Sequence, residues 1–308
     1  MIAVTIDGRL VAPDEATVSI FDRGFLYGDG LFEVLRTWEG VALDLDAHLD
    51  RLCTSAAALS LAVDRGRIAE DVRRAIGAAG EGEHRLRIIV TRGAGPIGAR
   101  LATLPAGRTI VIAEPLGALP ASVSLAIVDH PLPRRVGAAH KTLAYLDHAI
   151  ARELAAIAGA DEAVRLGPDG DVVECATANL FIVAGGPAAP AAGIPPRNAP
   201  DAITGDRLEG VGRPTVVTSP VTAGILPGIT RGRVIAACAA LGIAVREQRI
   251  SVEELRAADE IFVTSSVRGV VPVTALDGES RPAGALTQQL ADAVRVLRAR
   301  RAASSPNE

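Results

Sequence analysis

Lysine is almost absent from this chain. Of its 32 basic residues 31 are arginine, and the exception is Lys141, in the stretch AAHKTLAYLDHAIAREL. Cysteine is scarce as well: Cys53, Cys175 and Cys238 are odd in number, scattered and without metal-ligand spacing. That pattern excludes a disulfide framework and a cysteine-based zinc centre, and it is the usage of reduced thiols in a cytoplasmic protein. A basic excess is missing, the net charge being -4, which makes nucleic acid and acidic membrane surfaces poor partners. Long apolar runs are missing too. The longest is about AACAALGIAV, too short to span a bilayer. The opening MIAVTIDGRL has no basic n-region and meets Asp7 at once, so it does not read as a signal peptide.

What is present is a chain of 308 residues, 49% of them hydrophobic, enough for one large domain or two modest ones with real cores. Residues 2–12 predict a β-hairpin closed by Asp7-Gly8, and 31–45 a second around Glu39-Gly40, each turn carrying the glycine that a tight reversal needs. Helical spacing follows over 46–62 and 67–79, then strands at RLRIIVT (85–91) and RTIVIAE (108–114). The stretch EPLGALP (114–120) has the proline and glycine of a connection. Beyond it the chain predicts a strand at VSLAIVD, a helix over 142–159, a hairpin of EAVRL and DVVE, and a strand at NLFIV. A helix over 230–242, strands at EIFVTS and VVPVTAL and a terminal helix over about 285–302 complete the pattern. The fold class is therefore α/β (α+β), with a small N-terminal α/β domain over 1–117, a connection at 118–121 and a larger C-terminal domain over 122–308. Residues 184–214, rich in Gly, Pro and Ala without periodicity, read as a mobile surface insertion, and RARRAASSPNE at the end as a fraying tail.

The lone lysine poses the chemical question. Arginine keeps its proton at any accessible pH, whereas a buried lysine can lose it and attack a carbonyl. Lys141 is thus a candidate nucleophile, the alternative being a stray surface lysine left by coding bias. Tyr145 follows four residues later, one helical turn on, where its phenol can share a face with the lysine, and is either a core aromatic or a phenol beside a cofactor ring. Glu174 ends DVVE before the small residues of CATANLF, as a solvated strand end or as the acidic partner of a protonated ring nitrogen. In LPGITR, Gly228 precedes Ile229 and Thr230 at a helix start, which makes either an ordinary N-cap by Thr230 or a phosphate site of free N–H groups, dipole and hydroxyl. Thr264, Ser265 and Ser266 end the strand EIFVTSS, and Arg51 in AHLDRL has the guanidinium fork for an anion unless it is a solvated helix residue. One lysine, a strand-end glutamate, two hydroxyl-bearing anion sites and an arginine describe a pyridoxal phosphate pocket.

The segments SIFDRGFLYGDGLFEV, AHLDRL, DEAVRLGPDGDVVECATANLFIV, LPGITR and EIFVTSSVRGVVPVTALDG, with the lysine before a helix, resemble the fold-type IV pyridoxal phosphate enzymes. That family includes branched-chain aminotransferases, D-amino acid aminotransferases and aminodeoxychorismate lyases, and the match runs in order along almost the whole chain apart from 184–214. The resemblance implies that the cofactor lies between two domains and that Lys141 forms the internal aldimine and carries the proton between Cα and C4'. It further implies that Glu174 pairs with the ring nitrogen, that Tyr145 and Thr177 contact the cofactor, and that Leu226 packs on its ring. Arg51, Ile229, Thr230, Ser265 and Ser266 are the implied phosphate ligands. A homodimer is implied as well, with loops of the partner closing each site.

Substrate recognition is less legible. The tyrosine, arginine and histidine with which well-known D-amino acid aminotransferases trap the carboxylate are replaced by Phe32, Ile97 and Ala99. The two-residue period of HRLRIIVT puts Arg85 and Arg87 on one strand face and Leu86, Ile88 and Val90 on the other. Arg87 matches an active-site arginine of the branched-chain enzymes, and Arg100 lies in the loop GAGPIGAR, though both have the alternative of being surface charges. Tyr27 and Phe32 complete the substrate-binding candidates. The expected function is transfer of an amino group between an amino acid or amine and a 2-oxo acid. Aminodeoxychorismate lyase is the first alternative, and a catalytically silent dimeric binding protein on the same fold the second.

Overall fold

The structure, a computed structural model, describes residues 1–98, 107–130, 139–185 and 214–304, with the side chains of 1–98, 107–130, 139–185 and 214–298. The first half builds a six-stranded sheet from β1 (Ala3–Ile6), β2 (Arg9–Val11), β3 (Gly30–Trp38), β4 (Val41–Ala42), β5 (His84–Thr91) and β6 (Arg108–Pro115). Their order is β2-β1-β6-β5-β3-β4, and every pairing is antiparallel. The two hairpin turns fall where Asp7-Gly8 and Glu39-Gly40 predict them. A short helix, α1 (Arg23–Tyr27), precedes β3, and α2 (Leu45–Ala58) and α3 (Arg65–Ala79) follow the hairpin. Apolar residues recur at Leu45, Leu49, Leu52 and Ala56 in α2 and at Ile68, Val72, Ala75 and Ala79 in α3. That spacing gives each helix one apolar stripe, which packs on Leu31, Leu35, Leu86, Ile88 and Val111 of the sheet.

The second half forms a larger, curled sheet. Its strands are β7 (Val123–Ile127), β8 (Glu162–Leu166), β9 (Val172–Cys175), β10 (Asn179–Gly185), β11 (Pro214–Thr218), β12 (Ala244–Glu247), β13 (Glu260–Ser265), β14 (Gly269–Leu276) and β15 (Glu279–Ser280). They run in the order β12-β11-β10-β13-β14-β7-β8-β9, with β15 beside β14. At the β9 end, Val172 bridges to Ile250, and its carbonyl accepts a 2.7 Å hydrogen bond from Ser219 Oγ just past β11, so the sheet curls back toward itself. The central strands are apolar on both faces. Leu180 and Ile182 of β10 join Ile261 and Val263 of β13 on one side. Phe181 stacks on Phe262 at 4.8 Å on the other, under α5 (Ile229–Leu241) and α7 (Ala285–Ser304). The remaining α-helices among the described residues are α4 (Leu146–Ile157) and α6 (Val252–Ala257).

Several expectations move. The helix expected over 142–159 begins at Leu146, because the segment before it pairs with β3. AACAALGIAV is the end of α5 and the start of β12, divided at Gly242, whose φ of 66° stops the helix. Strands β11, β12 and β15 and helices α1 and α6 have no counterpart in the sequence reading, each being too short to show a period. Of the expected insertion, residues 186–213 lie outside the described residues, while Gly185 and Pro214 are paired strand ends of β10 and β11. The tail does not begin at 298: α7 runs to Ser304, and Arg298 is buried and bonded.

Candidate active site

Lys141 is presented by an extended segment laid along β3. The Phe32 N–H donates to the Lys141 carbonyl at 2.9 Å, the Leu143 N–H donates to the Gly30 carbonyl at 3.0 Å, and Leu31 and Thr142 form a bridge. A side chain at position 30 would end this docking, since a Cβ there would lie 2.4 Å from the Val90 carbonyl oxygen and 2.6 Å from Leu143 Cδ1. YGDGL is therefore the seat of the lysine segment. The Lys141 amine stands 4.6 Å from the centre of the Phe32 ring and 5.9 Å from that of Tyr145. Burial pushes its pKa down to about 8, against the pull of Glu33 and Glu174.

Tyr145 reaches the lysine by a route other than the one expected. It is the residue before the first turn of α4, not one helical turn beyond Lys141. Its ring meets Phe32 edge-on at 5.4 Å and stacks on His148 at 4.6 Å, while its hydroxyl donates to the Ala176 carbonyl at 3.3 Å.

Glu174, in β9, is 7% exposed, which overturns the solvated strand end. Its Oε2 accepts from Asn179 Nδ2 at 3.1 Å and from the Leu226 N–H at 3.2 Å. Both donors are neutral amides, so burial dominates and raises the carboxyl to about 7. Asn179 also donates to the Leu226 carbonyl at 3.0 Å, which ties the glutamate to the loop leading into α5. Gly228 caps that helix without any side-chain cap, and a Cβ on it would lie 1.9 Å from Asn179 Oδ1. The ordinary N-cap by Thr230 is thus corrected: Thr230 sits within the first turn, and among the described residues no side chain caps the helix.

Arg51 is no solvated helix residue. Its Nε and Nη2 donate to Glu33 at 2.9 and 2.5 Å, and its Nη1 donates to the Pro227 carbonyl at 3.0 Å. Buried His48 holds the same carboxylate at 2.7 Å. Burial alone would raise Glu33, but these hydrogen bonds and the Arg51 charge overcome it and set the carboxyl at about 2. Glu33 was not among the candidates drawn from the sequence, although a charged residue between the buried Leu31, Phe32 and Leu35 of β3 was the signal for it.

Arg85 and Arg87 share a strand face, yet they differ. Arg85 is exposed and pairs with Glu114 at 2.6 Å. Arg87 is half-buried, its guanidinium 4.3 Å from the Phe32 ring centre, and among the described residues no carboxylate pairs with it. Arg268 donates to Thr177 Oγ1 at 3.0 Å and to Glu162 at 3.1 Å.

A cavity of about 700 Å³ gathers Phe32, Arg51, Arg87, Lys141, Tyr145, Glu174, Thr177, Leu226, Ile229, Thr230, Ser265 and Ser266. The connection 114–120 lines it as well, a role its composition gave no sign of. Tyr27 does not line it; half-exposed, it lies under the Arg23 guanidinium at 4.7 Å. Ile97 is exposed and away from the cavity, and Ala99 and Arg100 lie outside the described residues. These residues fit pyridoxal phosphate: an amine of depressed pKa for its aldehyde, a buried carboxyl poised near neutrality for its ring nitrogen, and a helix N-terminus without a side-chain acceptor for its phosphate.

Comparison with known proteins agrees. The amino-transferase class IV family model matches residues 30–276. A D-alanine aminotransferase of Bacillus licheniformis is 30% identical over 92% of this chain and 91% of its own. The branched-chain aminotransferase of Thermoproteus uzoniensis, solved with norvaline, superposes with a TM-score of 0.82 at 28% identity over 95% of this chain and 93% of its own. The 4-amino-4-deoxychorismate lyase of Pseudomonas aeruginosa does so at 0.76 and 29%, over 95% and 98%. With a matching family model over most of its length, and with the residues that fit the cofactor gathered in one cavity, this chain belongs to the class IV aminotransferases, enzymes that work with pyridoxal phosphate.

Proposed function

We propose that the protein moves an amino group between an amino acid and a 2-oxo acid, with Lys141 as the covalent attachment point and proton carrier. The observation that carries this reading is the meeting, in one cavity, of the chain's lone lysine with a carboxyl raised to about 7 and the N-terminus of α5. When bound, pyridoxal phosphate supplies the electron sink for the pair left behind as the substrate Cα loses its proton. Lys141, with a pKa near 8, offers a neutral amine in a useful fraction at working pH, able both to attack a carbonyl and to hold the Cα proton. Glu174 gives the ring nitrogen a carboxylate that a cationic partner would return to its charged form. Leu226 covers the ring, with Tyr145 and Thr177 at its edge. The N–H groups of Ile229 and Thr230, the hydroxyls of Thr230, Ser265 and Ser266 and the guanidinium of Arg51 hold the phosphate. Arg87 meets the substrate α-carboxylate, because it lines the cavity half-buried beside Phe32 and no described carboxylate pairs with it.

The separate sheets, each with its own core, support a small domain over 1–117 and a larger one over 122–308. Ile20, Phe21, Phe25 and Tyr27 leave an apolar surface at α1, with Phe25 68% exposed. That surface supports the homodimer and a place for Tyr27 at the partner's site. Among the described residues no helix is long and apolar enough to cross a membrane, and the three cysteines are free thiols, which supports a cytoplasmic location.

Adding an amino donor to the cofactor-loaded protein and following the absorption spectrum tests the reading. Conversion to the pyridoxamine form is expected. Release of pyruvate from aminodeoxychorismate without that conversion would favour the lyase, the reading that the likeness to the Pseudomonas aeruginosa enzyme keeps in view. A spectrum that does not respond to donor would sink both.

A further inference from the structure

Thr230 is 2% exposed in the first turn of α5, and its Oγ1 accepts a 2.6 Å hydrogen bond from Arg298 Nη2 on α7. A hydroxyl has one proton to give and two lone pairs to receive with. With the arginine taking a lone pair, the Thr230 proton is left for another acceptor, and the cavity is what this residue lines.

Arg298 also belongs to a buried charge cluster. Arg233 Nε donates to Asp44 Oδ1 at 3.0 Å, and Arg298 Nε lies 3.5 Å from Asp44 Oδ2. The Asp44 and Arg298 side chains are 2% and 9% exposed. Two guanidiniums share one carboxylate, so the cluster retains one positive charge in a place poorly screened by water. Arg51, which lines the same cavity, is shared with Glu33 in a bidentate pair, so part of its charge is already answered within the fold. A further cation near the start of α5 therefore comes from α7, 68 residues beyond the threonine it holds.

We propose that Arg298 is a positioning residue for the phosphate group. It turns the Thr230 hydroxyl toward the anion and, with Arg233 and Asp44, leaves one positive charge for a phosphate dianion to neutralise. This rests on reading the N-terminus of α5 as the phosphate end of the site.

The test is equilibrium binding of pyridoxal phosphate and of pyridoxal, which lacks the phosphate, to the apoprotein, together with the rise in Tm given by inorganic phosphate. Arg298→Met should weaken pyridoxal phosphate roughly tenfold or more, the scale of a lost charge-assisted hydrogen bond, leave pyridoxal within about twofold on the same principle, and abolish the phosphate-induced rise in Tm. Arg298→Lys, which keeps the charge without the fork, should recover part of the preference and gives the same readout if the methionine variant is poorly folded. In a Thr230→Val background, Arg298→Met should weaken binding by less than it does alone, because the two groups act as one unit. Equal loss of both ligands, or full additivity with Thr230→Val, would overturn the proposal. A wild-type apoprotein that binds pyridoxal as tightly as pyridoxal phosphate would instead remove the phosphate reading of α5 itself.

Discussion

Glu33 and Glu174 are the same residue in two buried places, 1% and 7% exposed, and they lie on opposite sides of neutrality. Glu33 is held at about 2 and Glu174 at about 7. Burial pushes both upward; the partners decide the outcome. Around Glu33, β3 and α2 bring an arginine fork and an imidazole within hydrogen-bond reach, and the carboxylate is a fixed anion that anchors Arg51 to the cavity. Around Glu174, the donors are an asparagine amide and a backbone N–H, and the carboxyl is divided between its two forms near neutrality, where a cation can tip it. The first region is built to be finished on folding. The second is left for a ligand to complete.

The variant with the largest expected effect removes the amine beside Glu174. Lys141→Arg retains a positive charge but cannot attack a carbonyl, so the transfer rate should fall by about a thousandfold or more, the scale of losing a nucleophile and general base together. Borohydride reduction of the loaded wild-type protein should label the Lys141 peptide, and absence of label there would end the claim.

Paired glutamine substitutions sharpen the comparison directly. Glu33→Gln strands the Arg51 charge in a buried place and should lower unfolding free energy by about 3 to 5 kcal/mol, read by chemical denaturation. Glu174→Gln should be near neutral or mildly stabilising in the apoprotein at pH 8, yet slow Cα deprotonation about a hundredfold in single-turnover experiments, because the ring nitrogen loses its charged partner. Reversal of the two outcomes would mean that the roles of the carboxylates are exchanged.

The same pair gives a pH signature of opposite sign. Glu174 binds its proton more tightly folded than unfolded, so its share of apoprotein stability falls as pH rises from about 4.5 to about 7, by up to a few kcal/mol. Glu33 binds its proton less tightly folded, so its share is fully present above about 4.5 and is lost as pH falls toward about 2. Glu174→Gln should flatten the unfolding free energy between pH 4.5 and 7, where an unchanged slope would place the shift on another group.

The smallest effect concerns Arg87, half-buried beside Phe32 with no described carboxylate paired to it. Arg87→Ala should raise KM for amino acids about tenfold while sparing simple amines, which have no carboxylate to lose. Arg85→Ala, on the same strand face but already paired with Glu114, should change neither. Equal losses for amines and amino acids would leave Arg87 with a packing role.

Much of this was legible in the chain. The hairpins at Asp7-Gly8 and Glu39-Gly40, the stripes of α2 and α3 and the apolar runs of β10 and β13 follow from turn glycines, a period near four and continuous apolar stretches, all of which depend on neighbours in sequence. Lys141 and Glu174 stood out for the same local reason, a lone amine and an acid before small residues. The short elements β11, β12, β15, α1 and α6 did not, since two to six residues carry no resolvable period and take their form from the elements they adjoin.

What the sequence by itself determined is the inventory: one amine that can be deprotonated, an arginine-only set of permanent cations, and glycines at 30 and 228 that allow the backbone to come close. What only the tertiary structure decided is the chemistry of each group. Lys141 lies against Phe32 because an extended segment docks on β3, Arg51 meets Glu33 from 18 residues away, and Leu226 meets Glu174 from 52. A pKa, an ion pair and a helix end open to an anion are set by which groups share a desolvated space, and that sharing is a property of packing that no single stretch of chain contains.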